Sequence, residues 1–346
     1  MKPLLLILIL VSLMVIPANA SELTAPSAPD SVEDLMPYDT QSFGEGLWYV
    51  IRTTFTRLQP DIAKCCHICL SLIAAAVILS LIRGFDGVNR FAIRLVGSVM
   101  IACLLLEPTN TLIRDSSDTI TQLSEYGKLL LPVMTAALAA QGGVTASAAI
   151  YTATAFVDAL LSTLISNVLV PMVYIYLILC TIHSAIGEET LERLREMVKW
   201  LVSWCLRTVL YVFTGYLTIT GVVSGTADQM AVKAAKLTIS GMVPVVGGIL
   251  SDASETILVS AGVVKSAVGT YGLLALIAIT VGPFINIGIQ YLLLKASAAL
   301  CGLFADKEIT GMIVDFGSAM GLLLAMTGTV CLIMVISTIC FMKGMG

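Results

Sequence analysis

The sequence predicts an all-α fold, a polytopic membrane bundle with about six to eight membrane segments. The chain has 346 residues, of which 58% are hydrophobic and 12% charged, and its mean hydropathy is +0.96. Soluble domains contain roughly 45–50% apolar and about 25% charged residues, so one water-soluble core could not bury this chain. Several apolar runs approach the roughly 20 residues that cross a bilayer as a helix. The net charge of −4 offers no basic patch for nucleic acid.

The first 20 residues have the pattern of a signal peptide. Lys2 precedes an apolar core over residues 4–15, and residues 17–20 end in an A-x-A cleavage site. The alternative is an uncleaved first anchor. Residues 21–47 are acidic and lack Lys and Arg, which predicts a solvated extracytoplasmic tail.

Residues 48–128 predict an interfacial helix followed by two spans. The amphipathic pattern ends near residue 64, and the apolar runs cover residues 65–82 and 92–106. The connection between the runs is rich in arginine, which predicts a cytoplasmic position; its arginines are Arg83, Arg90 and Arg94. Glu107-Pro108 is expected to end the second span, and residues 109–128 are expected to form an amphipathic connector.

The rest of the chain has the pattern of an internal two-fold repeat with helices broken at Pro and Gly. Pro132 and Pro244 are 112 residues apart, and so are Pro171 and Pro283. The predicted membrane units are residues 129–223 and 241–341, as in transporters whose halves carry broken helices at matching positions. Prolines that coincide by chance are the alternative. If an Ala/Gly-rich hairpin re-enters from outside in each unit, the two units are parallel.

Each predicted unit contains two spans joined by a charged amphipathic stretch. In unit one this stretch is residues 187–197, where Glu189 with Arg193 and Glu192 with Arg195 have the spacing of helical ion pairs. In unit two the stretch is residues 305–315. The flanking spans are residues 168–186 and 199–222, then 271–294 and 317–341.

The least membrane-like stretch lies between the long apolar runs, at residues 240–253. Pro and Gly release backbone groups that lipid cannot satisfy, so such a stretch survives at membrane depth only when it is buried in protein or lines water. We therefore predict a path or hinge here, formed by Gly241, Pro244, Gly247, Gly248 and Asp252.

Two ionisable residues within apolar runs are further candidates for a path. Asp158 lies in TAFVDALL and Arg207 in SWCLRTVL, and ionisable groups inside a membrane are costly unless they pair or line a water-filled cavity. One interpretation is a structural pair between the two side chains. The other is a polar lining of a conducting path.

No pattern of catalytic or cofactor-binding residues is present, so we predict no enzyme and no cofactor. The sequence lacks phosphate-binding, metalloprotease and dinucleotide motifs. Cys65, Cys66, His67 and Cys69 resemble a metal cluster, but zinc sites need four ligands, usually in separated pairs. Asp315 begins a kinase-like Asp-Phe-Gly string without the accompanying kinase motifs.

Three strings of the chain resemble the stage III sporulation protein AE family of endospore-forming bacteria. They are LLLPVMTAALAAQGG, KLTISGMVPVVGGILSDASETILVSAGVVK and VGPFINI. The resemblance covers nearly all of residues 45–346. It implies a multi-pass subunit in the mother-cell membrane around the forespore, within a channel or secretion-like complex that links the two cells. The implied partners are other proteins of the same operon, including a cytoplasmic ATPase and ring-forming subunits, and possible further copies of this chain.

Two other functions fit the residues. A secondary transporter of a small solute would use Asp158 and Asp252 for ion coupling, and a membrane scaffold would have no path of its own. A transporter is expected to work alone, whereas a channel subunit or scaffold needs its partners.

Overall fold

The computed structural model describes residues 25–37, 43–85, 89–140, 144–219 and 267–344. After a short 3-10 turn at Glu33–Leu35, these residues form seven α-helices. The helices are α1 (Phe43–Arg83), α2 (Arg90–Ala140), α3 (Val144–Leu164), α4 (Val170–Ile186), α5 (Glu189–Ile219), α6 (Ala267–Cys301) and α7 (Lys307–Gly344). The predicted all-α class is confirmed for the described part of the chain.

Six helical stretches are long and apolar enough to cross a membrane, which agrees with the predicted number of segments. Helices α3 and α4 count as one of them, because a five-residue π-helix at Ile165–Leu169 joins them without a loop. Pro171 lies two residues after the π-helix and cannot donate to the carbonyl of residue 167. A local change of helical register is a common way to absorb such a lost hydrogen bond.

The helices are longer and less broken than the sequence suggested. The predicted interfacial helix and first span form one helix, α1, and α2 continues through both Pro108 and Pro132. Pro283 likewise lies inside α6. A helix can continue beyond the end of an apolar run. In α2 an amphipathic helical pattern follows residue 106, and each proline removes only one backbone hydrogen bond. Pro244 lies outside the described residues.

Helix α7 is the centre of the bundle. It packs against α2, α3, α4, α5 and α6, and the hairpin partner α6 also packs against α1 and α2. In its most apolar 18-residue stretch 67% of the residues are buried, compared with 56% in α6 and 28% in α5. Side chains of α7 therefore fill the middle of the described bundle.

Three connections meet at one end of the bundle, which we call the three-loop end. They join α1 to α2, α4 to α5 and α6 to α7. Arg83 forms an ion pair with Asp306, and the Ser184 hydroxyl donates to the Glu308 carbonyl over 3.1 Å. The hairpins α4–α5 and α6–α7 thus point the same way. The limits of the two repeat units stay a prediction.

At the opposite end, α1 and α2 extend past the hydrocarbon layer. The 51 residues of α2 span about 75 Å at 1.5 Å per residue, against roughly 30 Å of hydrocarbon. Its second half exposes five charged side chains, which lipid would not accept; they are Glu107, Arg114, Asp118, Glu125 and Lys128. Helix α1 exposes Arg52, Arg57 and Lys64. We place these halves in water.

Candidate functional site

Of the seven predicted path or hinge residues, the structure describes two. Asp158 lies in α3 and Arg207 in α5. The other five, Gly241, Pro244, Gly247, Gly248 and Asp252, lie outside the described residues, and so does the predicted signal peptide. The proposed hinge at residues 240–253 stays a prediction.

Asp158 is held by α2. Its side chain is buried, with 4% of the residue exposed, and its Oδ2 accepts a hydrogen bond of 2.7 Å from the Ser124 hydroxyl. Within the described parts of the chain, Oδ1 has no hydrogen-bond partner. The structure thus assigns Asp158 a hydroxyl partner on α2 in place of the anticipated ion pair with Arg207, which is half-buried on α5.

The contact of Asp158 belongs to a series of buried hydroxyl contacts, which we call the hydroxyl seam. Its other pairs are Ser98–Ser184 at 2.8 Å, Ser116–Thr327 at 3.3 Å and Thr154–Ser337 at 2.6 Å. In each of these pairs the second hydroxyl donates onward to a backbone carbonyl, that of Glu308, Leu323 or Ile333. Hydrogen bonds between small polar side chains hold helices together where lipid supplies no hydrophobic force.

Arg94 fastens α2 to the end of α4 at the three-loop end. Its Nε donates to the Ala185 carbonyl over 3.2 Å and its Nη2 to the Ile186 carbonyl over 2.7 Å. Carbonyls at a helix C-terminus lack partners and carry partial negative charge, so a guanidinium is a favourable cap. Gly187 then ends α4 in the left-handed conformation, with φ of 79°.

A buried ion pair joins α5 to α7. Arg195 donates through Nη1 to Oδ2 of Asp315, and each side chain is 10% exposed. Nη2 of Arg195 also lies 3.7 Å from Oε1 of Glu192 and 3.5 Å from Oε1 of Glu196, which are both on the same helix. The predicted pairing of Glu192 with Arg195 is confirmed, whereas the cross-helix pair was missed.

A sequence signal for this pair does exist. Arg195 falls in the helical stripe that continues with the buried residues Val198, Val202 and Leu206, and a 3.6-residue period places all four on one face. Asp315 likewise lies between buried residues of α7. A charged residue within an apolar stripe indicates a buried partner on another helix.

The cysteine and histidine string of α1 does not converge on one point. Cys65 and Cys69 are buried, whereas Cys66 and His67 are exposed, because consecutive residues of a helix face different directions. Over the described ranges, no group of three or more His, Cys, Asp or Glu side chains is placed to hold a metal ion. Apart from the contacts of Arg195 with Glu192 and Glu196 on its own helix, the side-chain pairs described above connect different helices.

Comparison with known proteins assigns the chain to a family. The sequence profile of the family described as stage III sporulation protein AE matches residues 32–346. The stage III sporulation protein AE of Bacillus subtilis (strain 168) is 24% identical over 227 residues, which make up 65% of this chain and 57% of that protein. No protein of solved structure matches. Because the profile covers most of its length, the chain belongs to the stage III sporulation protein AE family.

Proposed function

We propose that this protein is a membrane subunit of a multiprotein channel or secretion-like complex that links mother cell and forespore during endospore formation. Membership of a sporulation family carries this proposal. The six apolar helical stretches support a position in a membrane, and the family supports the mother-cell membrane around the forespore.

The packing of the described helices favours a subunit that works with partners. The middle of the bundle is filled by α7, so these helices do not enclose an open lumen on their own. A path would then form between this chain and its neighbours, or the chain would act as a scaffold for other path-forming subunits.

The water-exposed halves of α1 and α2 suggest where such neighbours bind. If the Arg-rich α1–α2 connection is cytoplasmic, these halves project into the space between the two membranes. The proposed partners there are ring-forming proteins of the same operon. A cytoplasmic ATPase would bind at or near the three-loop end.

Co-purification of this chain with the other proteins of its operon tests the proposal. The full chain, tagged and expressed in sporulating cells, is isolated from membranes after mild cross-linking, and the proteins of the operon are quantified. We expect them to be enriched over a tagged multi-pass membrane protein unrelated to sporulation. Recovery of the operon proteins at no more than the level of that control would overturn the proposal.

The transporter alternative rests on one observation: Asp158 is buried, and its Oδ1 has no hydrogen-bond partner among the described residues. Carboxylates inside a membrane couple ions in many transporters. Because Asp158 contacts Ser124, in the half of α2 that we place in water, this alternative requires a path that reaches from the membrane to that level. Asp158→Asn removes the charge and keeps the size of the side chain. A transporter would lose activity in this variant, whereas a subunit or scaffold would keep its function.

A further inference from the structure

Burial of the Arg195–Asp315 ion pair between α5 and α7 costs free energy of hydration. Both side chains are 10% exposed, and two charges lose much of their hydration when they are buried. Apolar residues of similar volume often give equal or greater stability at such a position. Stability alone therefore does not account for an ion pair here.

Arg195 has a second set of acceptors that would stay with it if α5 moved. Glu192 and Glu196 lie on the same helix, at 3.7 and 3.5 Å from Arg195, and are 54% and 56% exposed. When Arg195 leaves Asp315, it keeps these carboxylates and gains water. Asp315 stays on the central helix, with His183 of α4 still within electrostatic range.

Helix α5 has a short connection to α4 and little cover from the described residues. It is the least covered of the six membrane stretches within the described residues, and only Gly187 and Glu188 separate it from α4. Short connections with residues in special backbone conformations commonly act as hinges. Movement about this connection would leave the contacts of α4 with α2 and α7 intact.

Two polar side chains of α4 lie near the Arg195–Asp315 pair. Tyr176 and Cys180 on α4 are fully buried, and both lie within electrostatic range of Arg195 and Asp315. Among the residues that the structure describes, the Tyr176 hydroxyl has no hydrogen-bond partner of good geometry, and its polar neighbour is the Cys180 thiol, a weak donor and acceptor. A buried hydroxyl without a partner is costly, and opening of α5 would give it water.

We propose that the Arg195–Asp315 pair is a releasable latch, whose opening lets α5 tilt about residues 187–188 and uncovers a crevice between α4, α5 and α7. The crevice is lined by Tyr176 and Cys180. The latch is a property of the chain itself and does not depend on the proposed function.

Labelling of Cys180 tests the latch directly. A chain that keeps Cys180 and has the other eight cysteines replaced is expressed in membranes and treated with a charged, water-borne thiol reagent. We expect slow labelling of this chain and at least about tenfold faster labelling of its Asp315→Asn variant, because the pair no longer holds α5. Asp306→Asn is the matched control, since Asp306 pairs with Arg83 at the same end without joining α5 to α7, and it should leave the rate unchanged.

A second variant keeps the test decisive if Asp315→Asn does not fold. The double variant R195M/D315L replaces the pair with apolar side chains, which should hold α5 closed and slow Cys180 labelling below the parent rate. The same variant should impair sporulation although the protein accumulates normally in membranes. Labelling of the double variant at the parent rate, or of a folded Asp315→Asn at the parent rate, would overturn the latch.

Discussion

At the scale of single residues, Asp158 distinguishes two proposals for the function of this protein. One is a subunit or scaffold of a complex, and the other is a transporter. The only hydrogen bond of Asp158 to a described residue comes from Ser124, and an amide oxygen can accept this bond equally well. Asp158→Asn should change the free energy of unfolding by no more than about 1 kcal/mol, because a neutral hydrogen bond contributes on that order. Thermal unfolding in detergent measures the change in stability, and the frequency of spores measures the change in function. A stable variant that fails to sporulate would favour ion coupling and hence a transporter.

Among the described residues, Gly187 has the backbone that most restricts substitution. Its φ of 79° disfavours any side chain, and a Cβ there would lie 3.0 Å from Nη1 of Arg94. We expect Gly187→Ala to destabilise the protein by about 1–2 kcal/mol, with some loss of the cap on α4. Gly215→Ala is the control, because that helical position has nothing within 4 Å of the added atom; it should be neutral or stabilising by up to about 1 kcal/mol. Equal thermal stability of the two variants would contradict this account of the α4–α5 connection.

At the scale of elements, α7 should govern stability more than any helix at the periphery. Phe316 on α7 is fully buried, whereas Phe156 on α3 is 66% exposed. Phe316→Ala should cost about 2 kcal/mol or more, because a cavity remains in a packed core. Phe156→Ala should cost little, since lipid contacts this side chain in both the folded and the unfolded state. Similar unfolding temperatures for the two variants would show that α7 is not central.

The sequence allowed the class of helices and the number of membrane segments to be predicted, and it failed at the helix ends. Hydropathy records where apolar residues stop, but α2 continues past residue 106 because the amphipathic pattern that follows is also helical. Contacts between residues of different helices could not be predicted from the sequence for a different reason. Arg195 showed its local partner Glu192 by spacing, whereas Asp315 is 120 residues away, and nothing in either local pattern specifies the other helix.

At the scale of the whole molecule, the three-loop end gives a definite topology. With α1, α3–α4 and α6 running toward this end, α2, α5 and α7 return from it. Single cysteines at Phe85, Glu188 and Leu303 should therefore label from one side of the membrane, and cysteines at Gly44 and Lys343 from the other. An impermeant thiol reagent applied to intact and opened cells measures this, and any of the first three positions on the opposite side would contradict the fold.

Solute flux tests the central claim, that the protein works as one subunit of a complex. The purified chain alone, and the chain co-purified with its operon partners, are placed in separate lipid vesicles that contain a small fluorescent solute and an ion-sensitive dye. We predict no flux above empty vesicles for the chain alone, because α7 fills the middle of the described helices, and flux only when the partners are present. Flux through vesicles that hold the chain alone, abolished by Asp158→Asn, would contradict the account and identify a transporter.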